Sequence, residues 1–159
     1  RGKQEIAEIA AELEDRHIKA VYAGIGEAET ETAGLLAARL GLKLHNRQDL
    51  RELDYGLWQG LTAEEIKRRQ PKVYRQWTAA PDSVRPPEGE TLSEAQQRLK
   101  SVARRIVKRH KGEAAVVVCR PVALGVLKCT LTKQPLDTLW RHVGEGITCT
   151  SYDTNEKSL

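Results

Sequence analysis

The sequence predicts a three-layer α/β/α domain with a mostly parallel sheet, and three observations support that prediction. Short apolar runs alternate with longer helical periodicities along the chain, the pattern of consecutive strand and helix units. The run Ala114 to Val118 is apolar at every position, as befits a central parallel strand covered on both faces. At 159 residues, 40% of them hydrophobic, the chain is the size of one domain with a real core. Residues 1–159 are therefore expected to form a single domain.

Each element has its own signal. Gln4 to Glu14 places Ile6, Ile9, Ala10 and Leu13 on one face of an amphipathic helix. Ile18 to Tyr22 is a short apolar run before Gly24 and Gly26, which predicts a buried strand. Glu27 to Leu40 returns to helical spacing through Leu35, Leu36 and Leu40, with Gly41 placed to cap it. Leu42 to His45 reads as a second strand. Thr62-Ala63-Glu64-Glu65 is a capping box opening a helix that stops before Pro71, and Lys72 to Thr78 adds one or two turns. The prolines between Ala80 and Pro87 predict a loop. A second capping box, Thr91-Leu92-Ser93-Glu94, opens a long helix to about His110. Glu113 to Val118 is the strongest strand. A helix from Val122 to about Leu131, a turn at Pro135 and a final strand from Ile147 to Tyr152 complete the chain.

Composition narrows the function. The net charge is +4 and the cations are interleaved with acids, as in Glu64-Glu65-Ile66-Lys67-Arg68-Arg69. That is the pattern of solvated helix faces, and no nucleic-acid surface is expected. No run of eighteen apolar residues and no signal-peptide pattern occurs, so a soluble, cytoplasmic protein without membrane contact is expected. Cys119, Cys129 and Cys149 are odd in number and lack close ligand spacing. They read as reduced thiols, with neither a disulfide framework nor a metal site. His17, His45, His110 and His142 add no metal pattern, and no cofactor is expected. The chain opens Arg1-Gly2-Lys3-Gln4 and contains no methionine, so further sequence is expected upstream.

Three segments point to an ancestry: Leu50 to Gly60 (LRELDYGLWQG), Pro86 to Thr91 (PPEGET) and Val116 to Pro121 (VVVCRP). Together they resemble the histidine phosphatase superfamily, the phosphoglycerate mutase-like proteins. Gly2-Lys3-Gln4 with its following helix, and the run Ala33 to Leu42, extend the resemblance through nearly the whole chain. The resemblance implies a phosphoglycerate mutase-like fold and chemistry on phosphomonoesters. It also implies an opening strand upstream of Arg1, bearing an Arg-His-Gly motif with the phosphorylated histidine, so the domain would be N-terminally incomplete. A sheet lacking that strand has a gap, expected to be closed by residues outside this sequence, by a partner or by a rearranged edge.

The family's chemistry needs an imidazole to attack phosphorus, cations and donors to hold the phosphoryl oxygens, and an acid to protonate the leaving oxygen. By resemblance Glu52 takes the proton-donor position, although beside Arg51 it also reads as a turn or salt-bridge residue. The arginine expected in the second turn is replaced by Ala28, flanked by Glu27, Glu29 and Glu31. Those carboxylates oppose a phosphate dianion, at about 1 kcal/mol or more for each close pair of like charges. Cys119 stands where the family has its second histidine, and a neutral thiol donates no charge-assisted hydrogen bond. A cysteine-phosphatase loop also fails, because the sixth residue after Cys119 is Gly125 rather than arginine. As a small residue at a strand end, Cys119 fits simple packing. Arg120 is a candidate substrate contact. Gly24-Ile25-Gly26-Glu27-Ala28-Glu29 superficially matches a dinucleotide-binding turn, but Glu29 occupies the third glycine position and its charge opposes a pyrophosphate. Trp58 and Trp77 read as packing residues more readily than as pocket walls.

The sequence therefore predicts a catalytically degenerate histidine phosphatase-like domain, a binding or regulatory module. Its partner would be a phosphate-containing small molecule or a protein. The alternative is an active phosphomonoesterase or mutase whose nucleophilic histidine lies upstream and in which Arg120 replaces the lost cation.

Overall fold

The computed structural model describes residues 2–159. Helix α1 (Gly2–Glu14) begins two residues before the predicted start and buries Ile6, Ala10 and Leu13. Strand β1 (Ile18–Ala23) leads through the Gly24–Gly26 turn into α2 (Glu27–Leu40). Gly41 ends α2 in the left-handed region at φ 64°, its N–H donating to the Ala37 and Ala38 carbonyls. Leu42 N–H also donates to Ala37 O at 2.9 Å, which completes the cap. Leu42 is thereby held in the helix end, and β2 (Leu44–Asn46) starts later than the predicted Leu42.

Both capping boxes form. Thr62 opens α3 (Ala63–Arg69) and Thr91 opens α5 (Leu92–Arg109), each with reciprocal bonds to the glutamate three residues on. Between them Pro71 begins α4 (Pro71–Ala79), where its missing N–H leaves nothing unsatisfied. The predicted loop at residues 80–87 contains one 3₁₀ turn, Pro81–Ser83. Strand β3 (Ala114–Val118) and α6 (Pro121–Leu131) follow.

The described residues form a three-stranded parallel sheet in the order β2-β1-β3, with Val21 opposite both Leu44 and Val116. Alternation sorts its side chains to two faces. Val21, Ala23, Val116 and Val118 pack under α1 and α2. Ala20, Tyr22, Ala115 and Val117 pack on the other face, against α5 and α6, in a core that includes Leu92, Leu99, Val102 and Val126. The three-layer α/β/α arrangement predicted from the sequence is present. Among the described residues no helix is long and apolar enough to cross a membrane.

Two sequence expectations need correction. β3 is covered on both faces, which explains its apolar pattern, yet it lies at the edge of the sheet rather than at its centre. Its outer edge opens on a cavity of about 1210 Å³. The predicted final strand, Ile147 to Tyr152, does not form; this stretch has no ladder partner, and residues 144–151 are exposed. A strand needs an edge to pair with, and the cavity separates these residues from β3. Among the described residues the outer edge of β3 thus has no strand paired to it.

Candidate functional site

Three turns leave the carboxyl ends of the strands on the same side of the sheet, where parallel α/β folds collect their ligand sites. They surround a cleft of about 640 Å³ lined by Gly26, Ala28 and Glu29 from the first turn, Arg51 to Asp54 from the second and Arg120 from the third. Glu52 and Arg120 share this cleft, and Cys119 lies immediately before Arg120.

The Glu52 loop is fixed from two sides. Arg98 of α5 donates to the Asp49 and Arg51 carbonyls at 2.8 and 3.0 Å and forms a two-pronged pair with Glu90 at 2.9 and 2.8 Å. Both side chains are only about a tenth exposed. On the other side, Leu57 N–H donates to Pro87 O and Glu90 N–H to Asp54 O, each at 2.9 Å. These bonds lock the loop against Pro86 to Glu90.

Held this way, the Glu52 carboxylate accepts three backbone N–H groups: Leu53 at 2.8 Å, Val122 at 3.1 Å and Ala123 at 2.7 Å. Val122 and Ala123 lie in the first turn of α6, whose first residue, Pro121, has no N–H. The helix end that could hold an external anion thus already holds a carboxylate of the chain.

The first turn is also filled from within. Glu29 is buried and accepts Gly26 N–H at 3.0 Å. A Cβ on Gly24 or Gly26 would come within 2.8 or 2.6 Å of the Glu29 carboxylate. These glycines make room for Glu29, which explains the resemblance to a dinucleotide turn without a dinucleotide. Ala28 is exposed on the cleft wall, and Glu27 and Glu31 line it too. The lining carries five carboxylates, Glu27, Glu29, Glu31, Glu52 and Asp54, against two guanidiniums, Arg51 and Arg120.

Cys119 is partly buried. Burial, with the Glu52 and Glu29 carboxylates adding to it, pushes its thiol up to about 12. At pH 8 only about one part in ten thousand is then thiolate, the reactive form. Iodoacetamide at pH 8 is expected to label exposed Cys149 at least tenfold faster than Cys119, read by peptide mass mapping. Equal rates would show that Cys119 is activated. Tyr55, which the sequence reading did not single out, faces the same field: burial and then Glu52 push its hydroxyl above the ordinary range, and Arg120 partly offsets them.

The model for the histidine phosphatase superfamily (branch 1) matches residues 1–158. The chain belongs to this superfamily. It is 29% identical over 140 residues to phosphoserine phosphatase 1 of Hydrogenobacter thermophilus, covering 88% of this chain and 66% of that protein. It is 33% identical over 120 residues to phosphoglycerate mutase-like protein 4 of Arabidopsis thaliana, covering 74% and 52%. The chain thus spans between about half and two thirds of the length of these relatives. Among solved structures, Bacillus stearothermophilus YhfR superposes with a TM-score of 0.81 at 30% identity, covering 87% of this chain and 69% of that one. A mycobacterial glucosyl-3-phosphoglycerate phosphatase, with a TM-score of 0.75 at 24% identity over 87% and 70% of the two chains, shares the fold.

Among the described residues, none of the four histidines lines the cleft. His45 stacks on Tyr22 with ring centroids 5.1 Å apart, and His110 Nε2 lies 2.7 Å from the Tyr22 hydroxyl. Trp58 and Trp77 are buried and meet edge to face at 6.0 Å, so they pack as expected. Neither Glu90 nor Arg98 shows in the sequence its role in fixing the Glu52 loop. The carbonyls that Arg98 binds lie 49 and 47 residues away, beyond the reach of any local pattern. The only local signal was a Glu-rich loop running into a capping box.

Proposed function

We propose that this chain is a catalytically degenerate histidine phosphatase domain acting as a binding or regulatory module. The observation that carries the proposal is that Glu52 occupies the α6 N-terminus, accepting both Val122 and Ala123 N–H. An incoming phosphoryl oxygen would have to displace that carboxylate. It would also meet Ala28 in place of an arginine, and Cys119, next in the chain to the cleft residue Arg120, offers a protonated thiol in place of an imidazolium. The surplus of carboxylates in the cleft favours a protein partner over a phosphate ester. Ile25 and Leu57, 55% and 62% exposed, are apolar surface available to such a partner, and Ile25 lies on the cleft itself.

A second reading, an active phosphomonoesterase, is supported by the names of the relatives and by Glu52 and Arg120 lining one cleft. On that reading Glu52 protonates the leaving oxygen, Arg120 holds the phosphoryl oxygens, and the nucleophile comes from outside the described residues. The deciding experiment is hydrolysis of p-nitrophenyl phosphate and phosphoserine by the natural, full-length polypeptide. The degenerate domain is expected to give no turnover above background while folded by circular dichroism. Turnover that falls by about 10² or more in Glu52→Gln, and falls again in Arg120→Ala, would establish the enzyme and end the first reading.

A further inference from the structure

Strand β2 and the end of α5 bring five basic side chains together around one tyrosine. His45 lies opposite Tyr22 in the parallel ladder, and its ring stacks on the Tyr22 ring at 5.1 Å with 25° between the planes. The Arg47 guanidinium carbon stands 5.6 Å from the centre of the same ring. From α5, His110 meets Tyr22 edge-on at 5.6 Å, and its Nε2 lies 2.7 Å from the Tyr22 hydroxyl.

Strand spacing continues past both ends of β2. Val21 N–H donates to Lys43 O at 3.4 Å, and Arg47 N–H donates to Ala23 O at 2.8 Å. Alternation therefore puts Lys43, His45 and Arg47 on one face of the sheet, the face that carries Tyr22. Arg109, next to His110, joins them from α5. Burial, and then Arg47, Lys43, Arg109 and His110 in that order, hold the His45 imidazole below its ordinary range. All four of those neighbours are basic.

The carboxylates on the adjoining segments are engaged elsewhere. Asp49 pairs with Arg105 at 2.6 Å, and Glu113 lies 3.6 Å from His110 Nδ1. Among the described residues, Lys43 and Arg109 form no ion pair and no side-chain hydrogen bond, and the Arg47 guanidinium donates only to the Asn46 carbonyl at 3.0 Å. Lys43, Arg47 and Arg109 are exposed and His45 is half-buried.

Cations on a short edge strand discourage pairing with another strand, which accounts for Lys43 and Arg47. It does not account for Arg109 and His110, which approach the same rings from α5. Basic groups gathered without a counter-charge raise the local positive potential, and the His45 ring among them is a donor at both nitrogens once protonated. The two guanidiniums offer paired N–H groups that match phosphoryl oxygens, and Lys43 adds a point charge.

We infer that Lys43, His45, Arg47 and Arg109 form a binding site for a compact, multiply charged anion of the phosphate-ester or pyrophosphate class. None of the four lines the cleft, so the site is separate from it and stands under either reading of the cleft. An anion seated there favours protonated His45. By linkage it binds more tightly as the pH falls through the His45 titration.

The test is NMR titration of the His45 ring in the natural, full-length polypeptide, in sodium chloride and in sodium sulfate at equal ionic strength. Sulfate keeps its double charge across the range in which histidine titrates, so a difference between the salts belongs to the protein. The His45 midpoint is expected to lie about half a unit to one unit higher in sulfate, equivalent to about three- to tenfold tighter binding to the charged ring. Replacing two exposed cations together, Lys43→Gln and Arg109→Gln, is expected to abolish the difference while leaving the backbone spectrum of the folded protein intact. Equal midpoints in the two salts would overturn the site, and a difference that survives in the double variant would overturn its assignment to these residues. Inorganic pyrophosphate at pH 8 is expected to shift the His45 and Arg109 signals to saturation. Binding weaker than about 10 mM would overturn the ligand class.

Discussion

Replacing Arg98 with alanine is expected to lower the free energy of unfolding by on the order of 3–5 kcal/mol, the cost of leaving a buried charge without its partner. Both members of the Arg98–Glu90 pair are about a tenth exposed, so solvent screens them little. The change strands the Glu90 carboxylate, left with a long 3.3 Å bond from Asp54 N–H and a 3.8 Å approach of Arg51. It also removes the donor to the Asp49 and Arg51 carbonyls. Glu90→Ala is expected to cost less, because Arg98 keeps those two carbonyls. Urea unfolding of the two variants reads this order directly. A loss below about 1 kcal/mol for Arg98→Ala would place the pair in the class of weak surface bridges. The effect reaches the site as well. Asp49 and Arg51 lie just before Glu52, so a loosened loop weakens the cap that Glu52 places on α6.

The periodic features of the fold were legible in the sequence. Helices show themselves through spacing, caps through Thr62 and Thr91, and β3 through five consecutive apolar residues. Two features were read less well, for one physical reason. Whether β3 is central, and whether residues 147–152 pair at all, depends on a neighbour beside them rather than on their own composition. The site divides the same way. Sequence brought Glu52, Cys119 and Arg120 together through the turns that follow parallel strands. It did not foresee that Glu52 would cap α6, because that bond joins residues 70 and 71 positions apart. By charge pattern Glu29 is one of three acids opposing phosphate. Its burial depends on the space left by two glycines, which a charge pattern does not reveal.

Gly56→Ala is the other substitution expected to be severe, at about 2–5 kcal/mol. Gly56 sits in the left-handed region at φ 52°, where a side chain costs about 1–2 kcal/mol. A Cβ there would also overlap the Pro87 carbonyl oxygen and approach Glu88 C and Gly89 N to 2.6 Å. These are backbone atoms, held by the Leu57-to-Pro87 and Glu90-to-Asp54 bonds. They cannot rotate away as a side chain could, and forced overpacking adds about 1–3 kcal/mol. Gly89 faces the same contact from the opposite side, with a Cβ 2.6 Å from Asp54 O. Gly60 supplies the control: its φ is 78°, but nothing lies within 4 Å of a Cβ, so Gly60→Ala is expected to cost only the backbone part. If urea midpoints for Gly56→Ala and Gly60→Ala coincide, the two loops have room to part, and Glu52 is not held by their contact. If Gly56→Ala alone is severe, the backbone contact between residues 54–57 and 86–90 holds the Glu52 loop in place, and the cleft's geometry depends on two glycines that never touch a ligand.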